Sequence, residues 1–293
     1  MTSLSPIKIL TARNIIGEGI SWDSRRHLLW WTDIPSCKLF RYDWSNGSIQ
    51  ILDTPERVGS FGFVSGSEQL IAAFASGIAL YEPYRRTVAW IARPDEVVPG
   101  IRFNDGRVDR LGRFWSGTMV EGGQPALRGC LYSLSGGREI RRHLHDVSIS
   151  NGLCLSPDGA RLYFADSPTR TIRAFELIEP EGILGKSTLF AQTAVGSEPD
   201  GAAVDADGCV WSAHWGGGCV VRYTPDGRID RTIEVPTRQA TCVCFAGPGL
   251  DILCVTSARQ DLDNQTLRAE PHAGDVFLYR PGVQGLPEPE YLL

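Results

Sequence analysis

Nowhere in the 293 residues do eighteen apolar residues run together, which excludes a helical membrane span of ordinary length. Met1 to Leu10 lacks the charged segment and apolar core of a secretory leader, so a cytoplasmic location is expected. Basic residues are too few and too scattered for a nucleic-acid or anionic-membrane surface. There are 29 against 34 acidic residues, a net charge of −5, and Arg25-Arg26, Arg85-Arg86 and Arg141-Arg142 lie far apart, as solvated turns would. The eight cysteines contain no Cys-x-x-Cys spacing, and Cys242 and Cys244 alternate within an apolar run. That favours buried reduced thiols over a disulfide framework or a zinc site. No Gly-x-Ser-x-Gly is present, so the strained turn that exposes a serine nucleophile is missing. Long amphipathic helical patterns are missing too.

What the chain has is turns and short apolar runs. Hydrophobic residues make up 42%, enough for a sizeable core, and 32 glycines and 18 prolines are spread evenly. Trp22-Asp23 precedes Leu28-Leu29-Trp30-Trp31, and Val108-Asp109-Arg110-Leu111-Gly112 precedes Phe114-Trp115. Leu155-Ser156-Pro157-Asp158-Gly159 precedes Leu162-Tyr163, and Val204-Asp205-Ala206-Asp207-Gly208 precedes Val210-Trp211. Anchors at Trp30, Leu70, Trp115, Tyr163, Trp211 and Leu253 are spaced by 40, 45, 48, 48 and 42 residues. Strand-only units at a period of roughly 40–50 residues predict propeller blades. The expected architecture is an all-β, six-bladed β-propeller, one domain over residues 1–293. Its closed edges predict a monomer.

Counting back eleven or twelve residues from the anchors reaches Glu18, Asn104, Asn151 and Asp200, each followed within two residues by glycine. Val58 and Thr241 hold the same place in the other two units. Innermost strands of a propeller surround one axis, so these side chains should converge. Singly, Asn-Gly and Asp-Gly are ordinary turn dipeptides. Four in register predict a hard-oxygen metal site, in which a divalent cation relieves the repulsion of clustered carboxylates.

Gly17-Glu18-Gly19, Arg102-Phe103-Asn104-Asp105-Gly106, Ser150-Asn151-Gly152 and Pro199-Asp200-Gly201 resemble the motifs of the regucalcin/gluconolactonase/luciferin-regenerating family. The likeness spans about residues 15 to 280. The resemblance implies one divalent metal on Glu18, Asn151 and Asp200, substrate contacts from Arg102 and Asn104, and hydrolysis of sugar lactones.

In such a reaction the metal would polarise the lactone carbonyl or activate a water, with Asp200 as general base. Arg102 and Asn104 would fix substrate hydroxyls. Glu121-Gly122-Gly123-Gln124-Pro125 is expected as a rim lid with Glu121 reaching a polyol, and His214-Trp215-Gly216-Gly217-Gly218 would set Trp215 beside the substrate ring. Oxygen donors suit Ca²⁺, Mg²⁺ or Mn²⁺, with Fe²⁺ or Zn²⁺ open as well. The expected substrate is a small aldonolactone such as xylono-, arabinono- or gluconolactone. The rival readings are a non-enzymatic binding propeller with a structural metal and hydrolysis of a more apolar ester, which Arg102, Asn104 and Glu121 disfavour.

Overall fold

A computed structural model of the protein describes residues 4–124, 126–136 and 139–293; Pro125, at the end of the expected lid, lies outside them. Six four-stranded antiparallel sheets form the blades. Their innermost strands are Gly17–Asp23, Val58–Phe63, Ile101–Val108, Ser150–Leu155, Glu198–Val204 and Ala240–Ala246. Each packs against the next and the last against the first, which closes the ring. No helix among the described residues is long and apolar enough to cross a membrane.

Closure uses a pairing that the repeat count does not contain. The outermost strand of the sixth blade is Lys8–Leu10, in register with Val276–Tyr279. The first and last segments of the chain thus share one sheet, and no blade edge is left between them. Arg141-Arg142 also departs from expectation: it lies within the strand Ile140–Val147 and not in a turn.

Aromatic anchors hold the blades to one another. Trp22, Trp31 and Phe40 of the first blade pack on Cys242, Cys244 and Cys254 of the sixth. Trp22, Trp31, Trp115 and Trp211 are all fully buried. Each removes roughly 200 Å² from water, an upper bound of about 5 kcal/mol. All eight cysteines are unpaired, and six are buried.

The repeated Asp-containing turns have a specific task. Asp205 accepts the backbone N–H groups of Asp207 and Cys209 at 3.0 Å, and the Trp211 indole N–H at 2.8 Å. Asp109 does the same for Leu111, Arg113 and the Trp115 indole. One carboxylate therefore closes the turn and fixes the anchor that follows it.

At one end of the axis the chain's last residues form a strap. Gly285 bridges to Asp205, Glu288 meets Arg107 at 2.6 Å, and the fully buried Tyr291 bridges to Val64. These partners lie at or just beyond the C-terminal ends of innermost strands. The functional site therefore belongs to the opposite end.

Candidate active site

At that opposite end lies a cavity of about 360 Å³ whose walls come from all six blades. Glu18, Asn104, Asn151 and Asp200 all line it, as do Arg102, Glu121 and Trp215. The glycines beside them do not make turns. Every innermost strand shifts register at this level, between Glu18 and Ser21, Phe103 and Gly106, Asn151 and Cys154, and Pro199 and Ala202 among others. These are β-bulges, which re-aim a side chain out of the pleat. Gly19 and Gly152 adopt φ of +59° and +64°, a conformation that costs residues with a Cβ about 1–2 kcal/mol.

The donors are oriented by a chain of hydrogen bonds. Ser167 Oγ donates to the Pro199 carbonyl at 2.7 Å, so it accepts from Asn151 Nδ2 at 2.8 Å. That fixes the amide, and Asn151 Oδ1 is left to accept from Asn104 Nδ2 at 3.0 Å. Asn104 is fixed in turn. Its Oδ1 accepts from Arg102 Nη1 at 2.7 Å, and its Nδ2 also reaches the Ser150 carbonyl at 3.0 Å.

Glu18 and Asp200 are buried and in hydrogen-bonding contact. Burial first, then the charge of Asp105, pushes Glu18 up to about 8, against the pull of the Gly19 N–H and Arg102. Burial and the neighbouring Glu18 hold Asp200 well above the carboxylate range. Two such groups cannot both ionise cheaply without a cation. Among the described residues no three His, Cys, Asp or Glu side chains gather as a metal group. The third oxygen here belongs to the Asn151 amide, and a hard, oxygen-ligated divalent cation fits this donor set.

Four residues of the site escaped the sequence reading. Asp105 is buried beneath the bulges, held by the Gly106 and Leu153 N–H groups at 2.8 Å each, and raised to about 6 by burial. The Asn-Asp-Gly run contained the signal, but counting stopped at Asn104. Ser167 follows an anchor strand and has no motif of its own. Arg57, one residue before the counted Val58, grips Glu121 in a fork of 2.6 and 3.0 Å. Glu198, two residues before Asp200, also lines the cavity.

Glu121 is more tightly held than a lid residue would be. Besides the Arg57 fork, Arg102 Nε lies 3.3 Å from it, and its pKa is lowered chiefly by the Arg57 hydrogen bonds. Burial pulls Arg102 down to about 10, with the Glu121 charge opposing. Trp215 ends the strand Val210–Trp215 and pairs across to Glu198. His214 points away from the cavity, to Ser197 Oγ at 3.1 Å, and burial lowers it to about 4.

Residues 16–259 match the family described as SMP-30/Gluconolactonase/LRE-like region, and the chain belongs to that family. It is 39% identical over 282 residues to a 6-deoxy-6-sulfogluconolactonase of Pseudomonas putida, covering 94% of each chain. It is 36% identical over 277 residues to an L-arabinolactonase of Azospirillum brasilense, covering 94% of this chain and 91% of that one. In structure it is similar to a calcium-binding regucalcin from Agrobacterium tumefaciens, with TM-score 0.91, 30% identity and full coverage of both chains.

Proposed function

We propose that the protein hydrolyses a sugar lactone to the aldonic acid, with a divalent cation held by Glu18, Asn151 and Asp200. One observation carries the reading: two buried carboxylates in contact in the wall of the cavity, beside an amide oxygen whose orientation is locked. The named activities of the relatives support it, and the calcium-binding regucalcin supports a hard cation without deciding which one.

When bound, the cation supplies Lewis acidity toward the lactone carbonyl. Asp200 accepts a proton from the attacking water as its oxygen bonds to the carbonyl carbon. The ring C–O bond then breaks, and Asp200 returns the proton to the departing ring oxygen. Arg102 and Asn104 hold the substrate against this base, which converts encounter into near-attack geometry. Glu121, clamped by Arg57, keeps the Arg102 guanidinium in place. Arg102 is restrained further by the Phe103 carbonyl, which accepts from its Nη1 at 2.9 Å.

The test is acid release from a panel of aldonolactones, with chelated protein re-supplied with single divalent metals. Cation-dependent acceleration above the spontaneous rate is expected, abolished in Asp200→Ala, while Arg102→Ala chiefly raises KM. No acceleration with any metal would leave a binding propeller as the better reading.

A further inference from the structure

Six charged residues line the cavity: Glu18, Glu121, Glu198 and Asp200 against Arg57 and Arg102. Their formal sum is two negative charges, which one divalent cation cancels. Both arginines are already committed to Glu121, Arg57 through a two-pronged fork and Arg102 through its Nε. Arg57 is thus held by Glu121 and Arg102 is the substrate contact proposed above, which leaves the cavity no third arginine for an anionic substituent.

Glu198 is different from the other carboxylates. Glu18 accepts from the Gly19 N–H at 2.9 Å and contacts Asp200, and Glu121 is clamped. The Glu198 carboxylate makes no hydrogen bond or ion pair among the described residues, although it stands in the cavity wall. Its strand neighbour across the ladder is Trp215, also in the wall. An acceptor without a donor beside an indole is the chemistry that recognises a polyol: hydroxyls donate to the carboxylate while C–H groups lie on the ring.

Resting on the hydrolase reading above, we propose that Glu198 and Trp215 form the subsite for the hydroxyl-bearing tail of the lactone, and that Glu198 restricts the enzyme to tails without charge. A sulfonate, phosphate or carboxylate on that tail would meet a carboxylate in a half-enclosed site. Repulsion at such a distance disfavours it on the order of tenfold or more. The relative from Pseudomonas putida is named for a sulfonated lactone, so the two chains should differ in this respect.

The experiment pairs kinetics with binding. Wild type and Glu198→Gln are assayed on gluconolactone and on its 6-sulfo counterpart, and calorimetry measures sorbitol, sorbitol 6-phosphate and Ca²⁺ binding to each. Wild type should favour the neutral lactone in kcat/KM by at least tenfold. Glu198→Gln should shrink that preference by tenfold or more, mainly through KM. It should weaken sorbitol, strengthen sorbitol 6-phosphate and lower Ca²⁺ affinity by less than about tenfold, the loss of a nearby charge and not of a ligand. Equal changes for the neutral and charged probes would overturn the proposal, as would a fall in Ca²⁺ affinity of about 100-fold or more, which would make Glu198 a cation ligand. If neither protein turns over any lactone, the hydrolase reading fails, and the polyol binding still decides the subsite.

Discussion

The C-terminal strap presents a sharp energetic test at Glu288→Ala. Arg107 projects from an innermost strand, and its side chain is only 12% exposed. Nη1 donates to Glu288 at 2.6 Å and Nη2 to the Ala202 carbonyl at 3.0 Å, while Nε is buried without a partner among the described residues. Burial works against this charge, yet Glu288 and, less strongly, Asp105 hold Arg107 above its ordinary range. Removing Glu288 leaves a guanidinium buried with one carbonyl and a distant carboxylate. Breaking a buried pair from one side costs about 3–5 kcal/mol, and with Glu288 itself 15% exposed the lower end, about 3 kcal/mol, is expected. For a chain of 293 residues that is a fall in Tm of about 5 °C. Urea unfolding followed by tryptophan fluorescence measures it, and a cycle with Arg107→Met should show coupling of at least about 2 kcal/mol. Turnover at 25 °C should be unchanged, because the pair lies at the far end of the axis. A Glu288→Ala protein within about 1 kcal/mol of wild type, with no coupling to Arg107, would refute the reasoning.

Three further outcomes follow from the site. Ser167→Ala removes the acceptor that sets the Asn151 amide, so calorimetric cation affinity should fall about 10- to 100-fold while kcat at saturating cation changes less; unchanged affinity would mean that Asn151 needs no such support. His214 is held near 4 by burial, against 6.5 in the unfolded chain, so its stabilising contribution is complete above 6.5 and is lost as pH falls toward 4. Comparing wild type with His214→Gln by urea titration, the acid-linked loss should differ by about 3 kcal/mol, and parallel pH profiles would exclude it. Asp200→Asn relieves the repulsion from Glu18, so in chelator the variant should melt above wild type, yet added cation should no longer raise its Tm; a variant less stable than wild type in chelator would count against the carboxylate pair.

The propeller was legible because each blade repeats a local device. A carboxylate such as Asp109 or Asp205 closes a turn and binds the indole of the tryptophan two strand positions on, within six residues of itself. Such a contact leaves a periodic trace in the sequence. The ring closure leaves none, since Lys8 meets Leu278 across nearly the whole chain and its partner could be any apolar strand. The strap is hidden for the same reason: Glu288 and Arg107 lie 181 positions apart. At the site, counting in register reached Glu18, Asn104, Asn151 and Asp200 because the bulge recurs at one level of every innermost strand. The glycines that mark the bulge are also turn residues, so their dipeptides were ambiguous until the strands were seen to continue through them. Arg57 lies outside the count because its blade alone lines the cavity from that place; Glu198 shares its place with Ile16, Arg102 and Ile149, and Ser167 shares its place with Ile34 and Met119, but neither place carries the glycine that the count follows.

The two ends of the axis differ in how they treat buried charge. At the strap end Arg107 and Glu288 neutralise each other within the chain, and nothing further is required there. At the cavity end Glu18 and Asp200 are buried against each other and held above the carboxylate range, so that both ionise only at a cost, and Arg102 is partly diverted to Glu121. A fold tolerates such a pair only if the rest of it over-determines the backbone that carries the pair. The bulges do this: Gly19 is held by Glu18, Gly106 by Asp105, and Asp105 also ties its strand to Leu153 of the next blade. Stability contributed by buried tryptophans and neutralised ion pairs elsewhere therefore holds open a site whose own charges favour dispersal. A bound divalent cation removes that conflict, so affinity for the cation and strain in its absence have the same origin.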